Sequence, residues 1–209
     1  RFFDVGIAEE HAVTFAGGLA EGGMIPVVCI YSTFIQRSID QIIHDISLQK
    51  LHCIICLDRA GAVPQDGATH QGVFDISLLR SVPDLQILSP ATEKDLRLCL
   101  DYAASEKDCV VIRWPKAECN AELKVFENKV EKGRGLFISN SEITGNEKGS
   151  AKVLAVTTGG MFGEVCQAVK NVAEKAAKNM IEMINNPKYN GTYEFDLELI
   201  ERDSVKNMN

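Results

Sequence analysis

The chain has 209 residues, of which 45% are hydrophobic and 24% are charged, with 29 acidic against 22 basic residues. This composition is typical of a globular protein, and the acidic balance without a basic run argues against a nucleic-acid-binding surface. No apolar stretch approaches the ~20 residues that a membrane-spanning helix needs. The length suggests one whole domain plus a partial one, and a start without Met close to a predicted strand suggests that the chain opens within a fold.

The sequence from residue 3 to residue 23, FDVGIAEEHAVTFAGGLAEGG, sets a carboxylate in apolar surroundings. Residues 4–8 predict a strand end and a glycine turn, and small and apolar residues at helical spacing then predict a helix that begins at Glu9. A carboxylate there can simply complement the helix dipole, which contributes only ~0.3–1 kcal/mol on a surface. Polar residues at the ends of the next strands favour a functional role instead, because an open α/β sheet builds its sites at that edge.

Apolar runs alternate with helical patterns as far as residue 116, which predicts an α/β fold with a parallel sheet and helices on both faces. The predicted strands are residues 26–31, 52–58, 85–90 and 109–114, and the predicted helices are residues 35–50, 75–81 and 92–105, the last opened by the capping-box variant TEKD. Residues 117–150 are polar and predict a connector. Residues 151–209 predict the start of a second α/β domain, with a strand over residues 152–160 and a helix over residues 161–180. The tail from residue 184 is compatible with an inserted loop, a frayed strand or disorder.

Seven cysteines, an odd number, lie mostly in apolar strands and are interpreted as reduced core residues. Cys53 and Cys56 have the CxxC spacing, but positions three apart on a strand point to opposite faces, and the sequence has no second CxxC pair. We therefore predict no metal or redox role for them.

Aromatic and basic residues follow the first two strands. The first strand is followed directly by Tyr31, Phe34 and Arg37, which together can stack on a flat ring and hold a phosphate. The alternative for Phe34 is ordinary core packing, and the alternative for Arg37 is a solvated charge on a helix. The second strand leads into Arg59 and a long polar loop, AVPQDGATHQG. Loops of this length are uncommon unless functional, although a simple surface turn remains the alternative.

The loop carries Asp66 and His70, and histidine is the side chain best suited to move protons near neutral pH. His44, within the helix after Phe34, is predicted to face a partner subunit. The fourth strand ends in Arg113 and leads to Lys116, so these two cations with Arg37 and Arg59 predict an anion-binding rim and a phosphorylated substrate. A scatter of unrelated surface cations is the alternative. No GxGxxG, Walker lysine loop or HExxH motif is present.

Four strings occur in one order: FDVGIAEEHAV, IYSTFIQRSIDQIIHD, LDRAGAVPQDGATHQGVFDIS and IRWPK. Together they closely resemble the 1-deoxy-D-xylulose-5-phosphate synthases, thiamine-diphosphate-dependent relatives of transketolase. The resemblance covers residues 1–116 densely and residues 152–180 loosely. It implies a pyrimidine-binding domain with the thiamine-diphosphate-binding fold over residues 1–116, then the start of the C-terminal domain. The implied reaction decarboxylates pyruvate and condenses the two-carbon unit with D-glyceraldehyde 3-phosphate, the first step of the non-mevalonate isoprenoid pathway and a source of a thiamine precursor.

The resemblance also implies roles for individual residues. Glu9 matches the catalytic carboxylate that hydrogen-bonds the aminopyrimidine ring of the cofactor, and apolar surroundings would help it keep its proton. Phe34 matches the aromatic residue that stacks on that ring, with Tyr31 beside it. The residues matching those that contact substrate are Tyr31, Arg37, Arg59, Asp66, His70 and Lys116, with His70 also in proton handling. Lys116 stands where the family usually has Arg, which removes a bidentate fork, and Glu10 stands where it usually has Gln.

The family's diphosphate and Mg²⁺ site lies on an N-terminal domain with a GDG motif, which these residues lack. No metal ligand is therefore assigned, and we expect the chain to be inactive until it is paired with that domain. The resemblance implies a homodimer, with the helices after Glu9 and Tyr31 as candidate contacts, and no nucleic-acid or membrane partner. A bacterial cytoplasm or a plastid-like organelle is expected as the compartment.

Two other classes of function remain open at this point: another thiamine-dependent enzyme and a non-catalytic module. Transketolase and the β chain of a 2-oxo-acid dehydrogenase are built on the same domain, but the combination of DRAG with DGATHQG favours the synthase. A non-catalytic assembly module would keep the fold without binding a cofactor. The joint presence of Glu9, Phe34, Arg59, Asp66 and His70 argues against that module, since a scaffold needs none of them.

Overall fold

In the computed structural model, the described residues are 1–119, 129–136, 138, 143 and 155–185. The strands are β1 (Val27–Tyr31), β2 (Ile54–Asp58), β3 (Gln86–Leu88) and β4 (Val110–Arg113), and the helices are α1 (Glu9–Glu21), α2 (Ser32–Ile35), α3 (Ile39–Gln41), α4 (Asp75–Leu79), α5 (Glu93–Ser105) and α6 (Phe162–Asn185). A 3₁₀ turn (Gln36–Ser38) joins α2 to α3, and α3 continues into a π-helical segment (Ile42–Ser47). The helix predicted over residues 35–50 is therefore one composite helical stretch that starts directly after β1.

The four strands form one parallel sheet in the order β1-β2-β4-β3. In the register of this sheet, Tyr31 pairs with Asp58, and Leu57 pairs with Arg113. The predicted parallel sheet is confirmed. Because all strands run the same way, the residues that follow β1, β2 and β4 meet at one edge of the sheet.

Helices cover both faces of the sheet, as predicted. On one face, Val28, Ile55 and Val111 pack with Val13 of α1, and on the other face Ile54, Cys56, Val110 and Ile112 pack with Cys99 and Ala103 of α5. Cys53 belongs to the first cluster and Cys56 to the second, so the CxxC cysteines do point to opposite faces. All seven cysteines are free thiols.

The predicted capping box opens α5. The Thr92 hydroxyl accepts a hydrogen bond from the backbone N–H of Asp95 at 3.2 Å, and the Asp95 carboxylate accepts one from the N–H of Ala91 at 2.8 Å. The first bond satisfies an N–H group of the first helical turn, and the second ties the residue before the cap to that turn. The start of the helix is therefore determined locally, which explains why the sequence pattern located it to within one residue.

Two predicted strand segments are wrong. Residues 4–8 form the predicted glycine turn but no strand end, because the Asp4 carboxylate accepts a hydrogen bond from the Gly6 N–H at 2.9 Å and closes a turn in which Gly6 has φ +68°. Residues 155–158 of the strand predicted over residues 152–160 have no regular structure, and Gly159–Met161 form a 3₁₀ turn before α6. Both segments combine apolar residues with glycines, whose backbone freedom permits turns as readily as strands.

The chain divides into two compact units, Arg1–Asn171 and Val172–Asn209. The first contains the sheet, and the second is described only for the C-terminal part of α6. The predicted connector and most of the predicted second domain lie outside the described residues, so the boundaries at 116 and 150 stay predictions. None of the helices in the described ranges is long and apolar enough to cross a bilayer.

The same Val→Ala change at Val111 and at Val27 tests how much burial in the sheet contributes to the free energy of unfolding. Val111 in β4 is fully buried, whereas Val27 in β1 is 55% exposed. Val111→Ala is expected to lower the free energy of unfolding by about 2 kcal/mol, because it removes buried methyl groups and leaves a cavity. Val27→Ala should change it by less than about 0.5 kcal/mol. Equal losses in urea titrations of the two variants would contradict this account of the core.

Candidate active site

A cavity of about 280 Å³ lies at the carboxyl edge of the sheet. Its walls come from two places in the chain: the end of β1 with the residues that follow it, and the loop that follows β2. The lining residues are Tyr31, Thr33, Phe34, Arg59, Asp66 and His70. Five of these six were predicted as site residues, and the parallel register is what brings them together.

Aromatic rings form one side of the cavity. The rings of Tyr31 and Phe34 lie nearly parallel, with centroids 6.1 Å apart and 17° between their planes. The His70 ring meets Phe34 edge to face at 5.4 Å and 81°. Aromatic surfaces of this kind can stack on a planar ligand ring, since faces and edges carry opposite partial charges. His70 is otherwise exposed, and its Nδ1 lies 2.8 Å from the Thr69 hydroxyl.

Arg59 closes the cavity beside Tyr31. Its guanidinium carbon lies 4.1 Å above the Tyr31 ring centre, and its Nη2 donates a hydrogen bond to the Tyr31 hydroxyl at 3.0 Å. The Arg59 backbone has φ +58°, and its N–H donates to the Asp58 carboxylate at 2.7 Å. A non-glycine residue rarely adopts this conformation without support from its surroundings. Asp58 supplies part of that support, so the last residue of β2 helps to aim Arg59.

Asp66 lies between two cations. Its Oδ1 accepts a hydrogen bond from Lys116 Nζ at 3.0 Å, and its Oδ2 pairs with Arg59 Nη1. Hydrogen bonds from Lys116 and Arg59 hold the pKa of Asp66 below its ordinary value. The same contact raises the pKa of Arg59. Asp66 and Arg59 are therefore both charged near neutral pH.

Glu9 and Arg37 do not line the cavity, but Arg37 links Glu9 to Phe34 of the cavity wall. Glu9 is the first residue of α1 and is 9% exposed, and Arg37 Nη1 donates to both of its carboxylate oxygens, at 3.2 and 3.1 Å. The Arg37 guanidinium carbon lies 4.9 Å from the centre of the Phe34 ring. The carboxylate is buried as predicted, but a guanidinium contacts it, which corrects the expectation of purely apolar surroundings. A buried carboxylate needs such a partner to offset the loss of hydration.

Arg113 does not belong to the anion-binding rim that the sequence predicted. Its side chain is buried, where Nε donates to Asp75 Oδ2 at 2.7 Å and Nη2 to Asp75 Oδ1 at 3.3 Å. Arg113 does lie at the end of β4 as predicted, but its side chain is buried and pairs with Asp75. The other three cations of the predicted rim, Arg37, Arg59 and Lys116, are not buried, and each of them is paired with a carboxylate.

Some residues of the site were missed or stand apart from it. Thr33 lines the cavity, and a threonine beside two aromatic residues carries no distinctive sequence pattern. His44 is exposed and pairs with Asp40 at 3.1 Å, and its predicted contact with a partner stays a prediction. Within the described ranges, no cluster of three or more His, Cys, Asp or Glu side chains could hold a metal ion.

The parallel sheet, with acidic, aromatic and basic groups at its carboxyl edge, defines an α/β domain of the kind that builds its sites at that edge. The chain belongs to the family described as "Transketolase, pyrimidine binding domain", whose model matches residues 1–121.

The chain is similar to curated 1-deoxy-D-xylulose-5-phosphate synthases. It is 53% identical over 175 residues to that of Treponema pallidum (strain Nichols), covering 84% of this chain and 27% of the relative. It is 54% identical over 139 residues to that of Dictyoglomus turgidum, covering 66% of this chain and 22% of the relative. The resemblance noted from the motifs is thus confirmed. The chain spans about a quarter of the length of these relatives.

A solved structure titled "Split gene transketolase, inactive beta4 tetramer" is similar in fold and sequence. Its TM-score is 0.57 at 32% identity, and the match covers 64% of this chain and 43% of that chain. The predicted fold class is therefore confirmed by the sheet topology, by the family and by this structure.

Asp75 and Arg113 form a buried ion pair whose loss should be severe. Their side chains are 1% and 9% exposed. Asp75→Asn is expected to lower the free energy of unfolding by about 3–5 kcal/mol, because it leaves the Arg113 charge buried without its counter-ion. Glu93→Gln breaks an exposed pair with Arg97 and should cost less than about 1 kcal/mol. Thermal and urea unfolding of both variants measures the difference, and similar losses would show that burial does not govern it.

Asp66 should make stability depend on pH in the acid range. Because its pKa is lowered on folding, its stabilising contribution is fully present above the ordinary pKa of about 3.9 and is lost as pH falls through the folded-state pKa. Wild type is expected to be more stable than Asp66→Asn at pH 7, with the difference disappearing at strongly acid pH. Asp101→Asn, at an exposed position of α5, is the control. A difference that stayed constant with pH would contradict the ion pairing.

Proposed function

We propose that the chain supplies the pyrimidine-binding part of the active site of a thiamine-diphosphate-dependent 1-deoxy-D-xylulose-5-phosphate synthase. The proposed reaction is decarboxylation of pyruvate and condensation with D-glyceraldehyde 3-phosphate. The observation that carries the proposal is the buried Glu9 carboxylate, joined through Arg37 to the aromatic cavity of Tyr31 and Phe34. The similarity of this chain to synthases over 84% of its length supports the choice of reaction.

The residues present fit the aminopyrimidine ring of thiamine diphosphate. That ring is planar and carries a ring nitrogen and an amino group, so it needs an aromatic surface and a hydrogen-bonding carboxylate. Phe34 and Tyr31 provide the surface, and Glu9 provides the carboxylate at the start of α1. When bound, the cofactor supplies the carbon nucleophile and electron sink that decarboxylation of a 2-oxo acid requires.

Arg37 would orient Glu9 for this task. It donates to both carboxylate oxygens, which limits rotation of the carboxylate, and an ionised carboxylate can accept further hydrogen bonds at the same atoms. Burial of Glu9 keeps water from competing for those positions. The proposed role of Glu9 is to hold a hydrogen bond to the pyrimidine ring nitrogen and to share a proton with it.

Arg59 and Lys116 are the proposed groups for the phosphorylated substrate. Both lie at the carboxyl edge and meet at Asp66, which compensates their charges. Lys116 presents a point charge where the family usually has the planar fork of arginine, so we expect a phosphate to be held mainly by Arg59. His70, exposed at the cavity wall, is the proposed group for proton transfer to or from substrate.

The cofactor's diphosphate and Mg²⁺ are proposed to bind on another domain of the complete enzyme, and activity is proposed to require that domain. The split-gene transketolase offers a parallel, since its title describes a β4 tetramer as inactive. We propose a homodimer for the complete protein. The relatives reported above are bacterial, which favours a bacterial cytoplasm over a plastid-like organelle.

The decisive experiment assays the complete enzyme with pyruvate and D-glyceraldehyde 3-phosphate, with and without thiamine diphosphate and Mg²⁺. Glu9→Ala is expected to lower turnover by about 10²–10⁴-fold, the range typical of removing a residue that handles a proton in the transition state. Glu10→Ala removes the neighbouring exposed carboxylate and should leave turnover close to wild type.

The other outcomes separate the alternatives. Wild-type turnover in Glu9→Ala would remove Glu9 from the reaction. Binding of thiamine diphosphate without pentulose phosphate formation would favour a transketolase or a 2-oxo-acid dehydrogenase component. Failure of the complete enzyme to bind thiamine diphosphate would favour the assembly module.

A further inference from the structure

The loop between β2 and α4 carries Asp66 and His70 but contains little regular structure. Its base is closed by two backbone hydrogen bonds, from Gly61 N to Gly72 O at 2.6 Å and from Gly72 N to Gly61 O at 2.9 Å. A Cβ atom at residue 72 would lie 2.3 Å from the Arg59 carbonyl oxygen, so this closure requires glycine. Within the loop, Pro64–Asp66 form one 3₁₀ turn. The position of the Pro64–Asp66 turn therefore depends on side-chain contacts within the loop.

The side-chain amide of Gln71 makes three hydrogen bonds across the loop. Its Oε1 accepts from the Val63 N–H at 2.7 Å, and its Nε2 donates to the Val63 carbonyl at 3.0 Å and to the Gly67 carbonyl at 2.5 Å. The amide thus pairs with both the backbone N–H and the backbone C=O of a single residue, Val63. The acceptor and both donor hydrogens are all used, which leaves this amide in a single orientation.

These contacts lie on both sides of the turn that carries Asp66. Val63 directly precedes Pro64, Gly67 directly follows Asp66, and Gln71 itself follows His70. One side chain therefore sets the separation between the Asp66 turn and the His70 backbone.

We propose that Gln71 is a positioning residue, which holds Asp66 between Arg59 and Lys116 and holds His70 against Phe34. That these groups then act on a substrate rests on the proposed function; the positioning itself does not. The amide of Gln71 makes its hydrogen bonds to Val63 and Gly67, and neither of these residues lines the cavity. Gln71 therefore acts through the loop backbone.

Three variants of the 209-residue chain test the proposal. Gln71→Ala removes the amide and its volume, whereas Gln71→Met removes the amide but keeps a side chain of similar length. Gln65→Ala is the matched control, because Gln65 is exposed on the same turn and takes part in none of the side-chain hydrogen bonds of the described residues. All measurements are made without cofactor or substrate, so a failure of the proposed function would leave their outcome unchanged.

The first measurement is amide hydrogen exchange. In both Gln71 variants the Val63 amide should exchange about 2- to 12-fold faster, the range expected from loss of one hydrogen bond, while the Ile55 amide of β2 keeps its protection. The second measurement is the Asp66 carboxyl titration by ¹³C NMR. The pKa of Asp66 should move up towards its ordinary value in both Gln71 variants and stay low in Gln65→Ala, because only the first two release Asp66 from Lys116 and Arg59.

Three results would overturn the proposal. An unchanged Asp66 titration in both Gln71 variants would show that the loop holds its shape without the amide. An effect in Gln71→Ala that is absent from Gln71→Met would assign the role to packing. Loss of Ile55 protection in parallel with Val63 would show that Gln71 stabilises the whole domain and has no special link to Asp66.

Discussion

The site depends on the parallel register of the sheet. Tyr31 lies beside Asp58, and Leu57 beside Arg113, so β1, β2 and β4 all end at one edge. The end of β1 and the residues that follow it supply the aromatic surface, and the loop after β2 supplies Arg59 and Asp66. A one-residue slip in any of these pairings would turn the end of a strand to the other face and separate the two sets.

Charge compensation is the second constraint on the site. Arg37 pairs with Glu9, and Arg59 and Lys116 share Asp66. Without these carboxylates the neighbouring cations would repel one another, and pairing with Glu9 and Asp66 offsets that repulsion. An anion that binds here must compete with Asp66 for the same donors. The pair of Arg113 with Asp75 is buried instead, with side chains that are 9% and 1% exposed.

Local patterns determined most of the fold. The start of α1 at Glu9, the Thr92 cap of α5 and the four strands follow from hydrophobic periodicity and from hydrogen bonds within a few residues. The predictions failed where glycines leave the backbone free, as in residues 155–161, where a strand was predicted and irregular backbone leads into a 3₁₀ turn. The π-helical segment Ile42–Ser47 was predicted as ordinary helix, because the two share the same apolar spacing over so short a stretch.

The sequence by itself determined the α/β class, the residues that lie at strand ends and the resemblance to one enzyme family, because each depends on residue type and order along the chain. Only the tertiary structure decided which partner each charged side chain takes. In the structure, Arg37 pairs with Glu9, Arg113 pairs with Asp75 in a buried position, and the Gln71 amide bonds the backbone of its own loop. These choices depend on distances between residues far apart in the chain, which packing sets and residue order does not encode locally.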